Sequence, residues 1–413
     1  MRTLKMISFT PSLLFGTLLI FACACGGPGS GGSGGPHPVT YSFSVLHSFT
    51  GKPDGGRPYA GLVRDTVGNL YGTTTSGGIF DGGTVFKLDP SGNETVLYNF
   101  TGGADGWYPA EGELTLDTAG NIYGTAAGGG STGFGLVFRL DVTGTETVLY
   151  NFTAGVDGGS PHAGVVRDGA GNLYGTAETG GDPSCGGFGC GVVFKLDTVG
   201  NETVLHAFSG GADGVQPIGN LVLDKAGNLY GVTFSGGTFG KGVVFKIDAA
   251  GNETVLHTFA GPDGAAPAAA LVQDSNGNLY GTTEGGGANS EGTAFKIDSA
   301  GNEGVLYSFT GKLDGTAPIS SLALDQTGNL YGTTDSGGNS PNCFFGCGVV
   351  FILDPTGKQT VLHNFDGTNG AQGLGLVVDS QGNLYGTTSV GGASSCDGFT
   401  SECGLAFKLT RMP

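Results

Sequence analysis

The chain has 413 residues, with 85 glycines and 17 prolines; 38% of its residues are apolar, 10% aromatic and only 13% charged. So many aromatics with so little charge exclude a disordered chain, the lack of Gly at every third position excludes a collagen, and the missing 3.6-residue pattern excludes a long-helix protein. The 35 acidic residues against 17 basic ones, with no Lys/Arg cluster, exclude nucleic acid as a partner and weigh against adhesion to anionic lipid.

Arg2 and Lys5 precede a mostly apolar run, 6–22, which ends in small residues. This is the layout of a secretory signal. Pro11 and Gly16 interrupt the run, and its length is marginal for a spanning helix. A Gly/Ser-rich stretch, GGPGSGGSGGP (26–36), follows Cys25 and has the composition of a flexible tether. The expected organisation is a signal peptide over 1–24, a tether over 25–40 and a folded domain over 41–413.

Within the folded domain a single string recurs seven times: Asn-Leu/Ile-Tyr-Gly, starting at Asn69, Asn121, Asn172, Asn228, Asn278, Asn329 and Asn383. Each copy sits in the same frame, which in the first reads LVRD (62–65), VGNLYGTTT (67–75), GTVFKLD (83–89) and ETVLYNF (94–100). These short runs of Val, Thr, Tyr and Phe, bounded by Gly, Asn, Asp and Pro, predict strands. The D-x-x-G-N joins predict tight turns, with Asp accepting from turn amides and Gly taking positive φ. A repeat of roughly 50 residues holding four antiparallel strands predicts a β-propeller blade.

The number of blades follows from two phenylalanine columns. The third strand supplies Phe86, Phe138, Phe194, Phe245, Phe295, Phe351 and Phe407; the fourth supplies Phe49, Phe100, Phe152, Phe208, Phe259, Phe309 and Phe365. Phe49, in SVLHSF (44–49), precedes any first strand, and GLAFKLT (404–410) has no fourth strand after it. Pairing these two segments predicts an all-β ring of seven blades, closed by strand 44–49, with no open edge between blades one and seven.

The frame resembles NHL-type and gluconolactonase-type propellers. It is closer to the GloVer tandem repeat of bacterial choice-of-anchor surface proteins, whose N-L-Y-G-T-T and G-x-V-F-K-L-D elements recur over residues 41–410. That resemblance implies secretion, anchoring and a propeller; it implies no reaction. The N-terminus resembles a bacterial lipoprotein signal, which implies lipidation of Cys25, where the tether begins, or alternatively of Cys23. An ordinary signal cut after Ala24 also fits the sequence. The expected address is the outer membrane, periplasm or cell surface, with membrane contact only through the lipid. Blade two departs most from the frame: Ala110 is read as replacing the loop proline, and Glu111 and Glu113 flank Gly112.

Among the repeated columns, His47, His206, His257 and His363 alternate with Tyr98, Tyr150 and Tyr307 at one position of the fourth strand. Each lies on a different blade, so they cannot converge on one ion and are read as packing. Asp54, Asp105, Asp157, Asp213, Asp263, Asp314 and Asp366 recur in the inter-blade loops and are read as turn formers, since one carboxylate per loop is a poor calcium ligand set. Six further cysteines form three local pairs, Cys185/Cys190, Cys343/Cys347 and Cys396/Cys403, each between a second and third strand and each expected to be a disulfide.

No H-E-x-x-H signature is present, and the two G-x-S-x-G strings, 31–35 and 129–133, fall in the Gly/Ser tether and in a Gly-rich loop between strands, not at a strand-to-helix nucleophile turn. The inter-blade and second-to-third-strand loops are the variable ones, and topology puts both on one face. At the channel mouth the repeat breaks, leaving Tyr59, Glu111, Glu113, His162, Asn220 and Ser321 as candidate ligand-binding residues. The expected function is a non-enzymatic envelope binding or scaffold module, monomeric, for a glycan, a peptide or another envelope protein. No cofactor is called for, although the mouth residues could hold a divalent cation such as calcium. The alternative is a metal-dependent hydrolase or lactonase using Glu113, His162 and Asn220.

Overall fold

The computed structural model describes residues 39–109, 112–392 and 403–413. The expected signal, tether, Cys23, Cys25, Glu111 and Cys396 lie outside the described residues.

Blade one shows how the frame folds: strands Val63–Arg64, Leu70–Thr74, Thr84–Leu88 and Glu94–Asn99 pair antiparallel in sequence order. Seven such sheets occur, and the seventh pairs Tyr41–Ser48 with Leu405–Arg411, so the chain's two ends share a blade. The closing strand carries the same irregularity as the others. Val85 and Phe86 face Tyr98 and Val96, leaving Leu97 as an extra, bulged residue; Ala406 and Phe407 face His47 and Val45, leaving Leu46. The first strand of the ring is therefore a true fourth strand, as its phenylalanine predicts.

The core lies between blades. Phe49 meets Phe86 edge-on at 4.9 Å between centroids, Phe100 meets Phe138 at 5.2 Å, and Phe365 meets Phe407 at 5.4 Å. Each is a fourth-strand ring against the third-strand ring of a neighbouring sheet, and the Phe49–Phe86 contact joins the closing blade to blade one. Such edge-to-face pairs add to the area that the rings bury. This packing also explains the glycine of N-L-Y-G. A methyl group at Gly281 would stand 2.6 Å from the Phe295 ring that lies over it, so the position tolerates no side chain.

The D-x-x-G-N turns are more heavily bonded than the sequence suggests. Asp168 Oδ1 accepts from the Ala170 and Asn172 amides, and Oδ2 accepts from the Asn172 side chain and the Tyr174 hydroxyl. The tyrosine of N-L-Y-G is thus the turn's fourth donor, and the same bond recurs in blades one to seven. Burial pushes the Asp168 carboxyl up, but the Asn172, Tyr174 and backbone donors outweigh it and hold it below the usual range.

Blade two corrects the expected register. In blades one to six the loop proline packs over a glycine of the preceding blade, as Gly404 against Pro58, Gly135 against Pro161 and Gly191 against Pro217 show. In blade two that slot, over Gly83, is filled by Pro109. Ala110 is therefore no replacement; the segment carries one inserted residue between Pro109 and Leu114. The inner edge of this blade consists of Trp107–Pro109 and Thr115–Leu116, both paired with Ile122–Gly128, which makes this sheet five-stranded.

Two disulfides are present as expected, Cys185–Cys190 and Cys343–Cys347. Cys403 is also disulfide-bonded, to a partner outside the described residues. Among the described residues no helix is long and apolar enough to cross a membrane.

Candidate functional site

In six of their seven places the two repeated polar columns turn out to be each other's partners, while His363 stacks on Phe43 instead of meeting Asp366. Tyr150 donates to Asp157 Oδ2 at 3.0 Å, and His257 Nε2 lies 2.8 Å from Asp263 Oδ2. His47 and His206 face Asp54 and Asp213 in the same way, at 3.0 and 3.4 Å. Each aspartate also accepts from the backbone at the head of its loop, as Asp105 does from Thr101. These carboxylates are spent on turns. His257, Asp263 and Glu303 do bring ligand atoms within 4.8 Å of one another. The equivalent places on the next blade hold Tyr307, Asp314 and Gln359, with Gln359 donating to the Asp314 carbonyl at 3.3 Å, so the trio belongs to a structural column.

The distinctive surface is at the channel mouth. A cavity of about 570 Å³ opens there, lined by candidates Tyr59, Glu113, His162, Asn220 and Ser321. The inserted residue of blade two carries Glu113 into this space. Its carboxylate approaches blades one and seven, where a methyl group at Gly61 would stand 2.8 Å from Oε1 and one at Gly375 3.5 Å from it. Burial, which strips water from the charged form, pushes the carboxyl up to about 7.

Asn220 holds this arrangement. It reaches from blade four to accept from the Gly164 amide at 2.7 Å and to donate to the Glu113 carbonyl at 3.1 Å. Both ends of its amide are committed, so Asn220 positions Glu113 and does not act as a free ligand donor. His162 is engaged too, with Nε2 3.3 Å from Glu178 Oε2. Gln216 Nε2 donates to Glu178 Oε1 at 2.8 Å, and Ser235 Oγ reaches Gln216 Oε1 at 3.4 Å. A hydrogen-bonded arc thus runs across blades three and four along one wall of the cavity.

Sequence reasoning missed Glu178 and Gln216 of that arc and two further carboxylates of the mouth. Glu178, Glu284 and Asp335 lie one or two residues past the second strands Leu173–Ala177, Leu279–Thr283 and Leu330–Thr333 and line the mouth, yet they are separated in sequence from the first-strand positions of other blades that share it. Gln216 belongs to another unread column: Arg57, Tyr108, Ser160, Gln216, Ala266, Ala317 and Gln372 all have φ between 49° and 59°. In the first six a proline follows. Each donates its amide to the preceding blade, as Gln216 does to the Cys190 carbonyl. A non-glycine residue is held in the left-handed region only by such surroundings. The signal that finds the column is the residue before each loop proline.

Among the described residues the lining contains four carboxylates, Glu113, Glu178, Glu284 and Asp335, one histidine, and no Lys or Arg. Ile218, Phe234, Ile319 and Leu374 supply apolar wall. Such a cavity can take a small ligand with a cationic or hydrogen-bond-donating end and an apolar body.

The sequence profile of the Gloeobacter/Verrucomicrobia repeat matches residues 27–224 and 217–411. The fold is similar to the extracellular domain of a putative hybrid two-component system of B. thetaiotaomicron, with 13% identity and TM-score 0.53 over 90% of this chain. It is also similar to that of a putative one-component system of the same organism, with 16% identity and TM-score 0.55 over 90% of this chain. The chain spans 41% and 42% of the lengths of those two domains. A gluconolactonase of Xanthomonas campestris aligns over 90% of both chains at 12% identity and TM-score 0.44. None of the curated proteins matches.

Proposed function

The chain belongs to the Gloeobacter/Verrucomicrobia repeat family, and from that premise we propose that it is an exported, envelope-associated binding module whose channel mouth takes a small polar ligand bearing a cationic group. The observation that carries this reading is the mouth lining, with four carboxylates, one histidine and no basic counterpart around a cavity of about 570 Å³. Two complete disulfides support export, since such bridges persist in oxidising compartments. A lipid on Cys25, or on Cys23, is the proposed anchor.

Isothermal titration of the mature protein with alkylammonium compounds, and separately with calcium, tests the reading. Binding of the amines that weakens about tenfold or more in Glu178→Gln and Asp335→Asn is the expected result. Absence of binding by any amine overturns it. Calcium binding without amine binding would instead make the mouth a metal site.

A lactone or ester hydrolase is the second reading, favoured by a Glu113 carboxyl near neutrality, where a general acid or base works best. It requires turnover of a lactone substrate that Glu113→Gln abolishes at unchanged melting temperature.

A further inference from the structure

Exposed phenylalanines are concentrated at one kind of position. Phe80, Phe134, Phe188, Phe239, Phe344 and Phe345 are all exposed, and each lies in a loop joining the second and third strands of its blade. These loops follow directly on the strand ends that line the mouth, where Glu178, Phe234 and Asp335 sit. Backbone bridges such as Gly56–Ser76, Gly159–Thr179 and Thr316–Ser336 tie the loop bases to the inter-blade loops beside it. The aromatic tips therefore stand around the acidic mouth. Blade five, whose loop reads Ala288-Asn289-Ser290, carries no such tip, and most of the blade-seven loop lies outside the described residues.

The two disulfides hold these tips. Cys185–Cys190 encloses Phe188, and Cys343–Cys347 encloses Phe344 and Phe345. Phe188 is 83% exposed and Phe344 94%, with Phe345 edge-on to Phe344 at 4.7 Å. Rings so exposed contribute little to the fold, while the crosslink removes the freedom a contact would otherwise have to freeze. Exposed aromatics repeated on one face of five blades mark an interaction surface. At the other end of the ring no exposed phenylalanine is found among the described residues, and single valines such as Val67 and Val142 stand on the turns.

We propose that the phenylalanine tips and the mouth form one docking face for a protein partner that inserts a lysine or arginine side chain into the mouth and seats apolar side chains on the ring. Charge complementarity selects this occupant: the centre holds Glu113, Glu178, Glu284 and Asp335 without a basic residue, which repels an anionic membrane surface and an acidic partner alike. Rigid aromatic anchors around a polar centre are also how interfaces concentrate their binding energy. The proposal rests on the mouth being the binding side, and its test separates the two.

Short synthetic peptides carrying Lys among Leu and Tyr, and counterparts with Glu in place of Lys, are titrated against three forms of the immobilised protein. The forms are the wild type, the triple variant Phe188→Ser, Phe344→Ser, Phe345→Ser, and the double variant Glu178→Gln, Asp335→Asn. The substituted tips are exposed, so melting temperatures are expected to stay at the wild-type value. The expected result is binding of the Lys peptides only, weakened about tenfold or more by either set of substitutions. Weakening by the charge variant with none by the phenylalanine variant removes the docking ring and leaves the mouth reading intact. No peptide binding, phenylalanine-dependent sedimentation with phosphatidylcholine vesicles, or phenylalanine-dependent self-association in the ultracentrifuge overturns the proposed partner.

Discussion

The two ends of the ring are built from the same strands and differ in what their polar groups do. At the turn end, every blade repeats one Asp with the same Asn or backbone donors and the same Tyr hydroxyl, and the carboxylates are satisfied within their own turns. At the loop end the inner positions change from blade to blade. Glu113, His162, Asn220 and Ser321 are separated in sequence yet line one cavity. A repeated polar residue here is a local structural partner, whereas a polar residue that breaks the repeat faces a space shared by several blades and, like Asn220 and His162, bonds across them or lines it.

That contrast can be broken most severely by opening the ring. Deleting residues 39–49 removes the strand Tyr41–Ser48 that covers Leu405–Arg411 and takes Phe49 away from Phe86. The expected outcome is loss of the cooperative melt and aggregation through the bared edge, seen by calorimetry and size exclusion, while deleting only 26–36 changes neither. Equal melting of the two truncations would contradict the closure.

Reducing the disulfides should act on the loop end alone. The chain-entropy estimate is about 2 kcal/mol per short loop, and the phenylalanine packing between blades does not depend on it. Hydrogen exchange is expected to rise over 182–191 and 339–348 with the sheet circular dichroism retained; collapse of the sheet signal would show that the bridges hold the ring.

At the turn end, Tyr280→Phe deletes one hydroxyl from the Asp274 carboxylate, bonded at 3.1 Å. A loss of about 1 kcal/mol in denaturant unfolding is expected, with no change at the mouth.

The smallest effect is a pH dependence. Glu146 and Glu202, at the starts of fourth strands, are raised from 4.5 to about 7, by burial first and then by neighbouring Asp105 and Asp157 respectively. A carboxyl raised in the folded state stabilises it fully below the unfolded value and loses that contribution as pH rises through about 7. The melting temperature should therefore fall between pH 4.5 and 8, and the fall should flatten in Glu146→Gln, Glu202→Gln. Gln359 already occupies this place on blade six, donating to a loop carbonyl. The lowered Asp carboxyls of the turns, such as Asp168, act oppositely, and their contribution is lost as pH falls below about 3.8.

The fold was legible because its determinants repeat. The phenylalanine columns state the blade number, and Phe49 ahead of the first full unit states how the ring closes. The mouth was only partly legible, since positions that break a repeat stand out in any alignment of its copies. The inserted residue of blade two was not, because the sequence offers Pro109 and Ala110 as equal candidates for one slot and only the glycine beneath Pro109 decides between them. Gln216 and Glu178 were missed for a different reason. Their proximity to His162 is created by the ring, and no local pattern encodes it.

The most direct test measures affinity and stability together in two matched aspartate variants, Asp335→Asn at the mouth and Asp274→Asn at a turn. With an alkylammonium probe in a calorimeter, the expected result is a separation: Asp335→Asn weakens binding about tenfold with an unchanged melting temperature, and Asp274→Asn lowers the melting temperature with unchanged affinity. If both variants lose stability and neither loses affinity, the mouth carboxylates are structural like those of the turns, and the division of labour between the two ends is wrong.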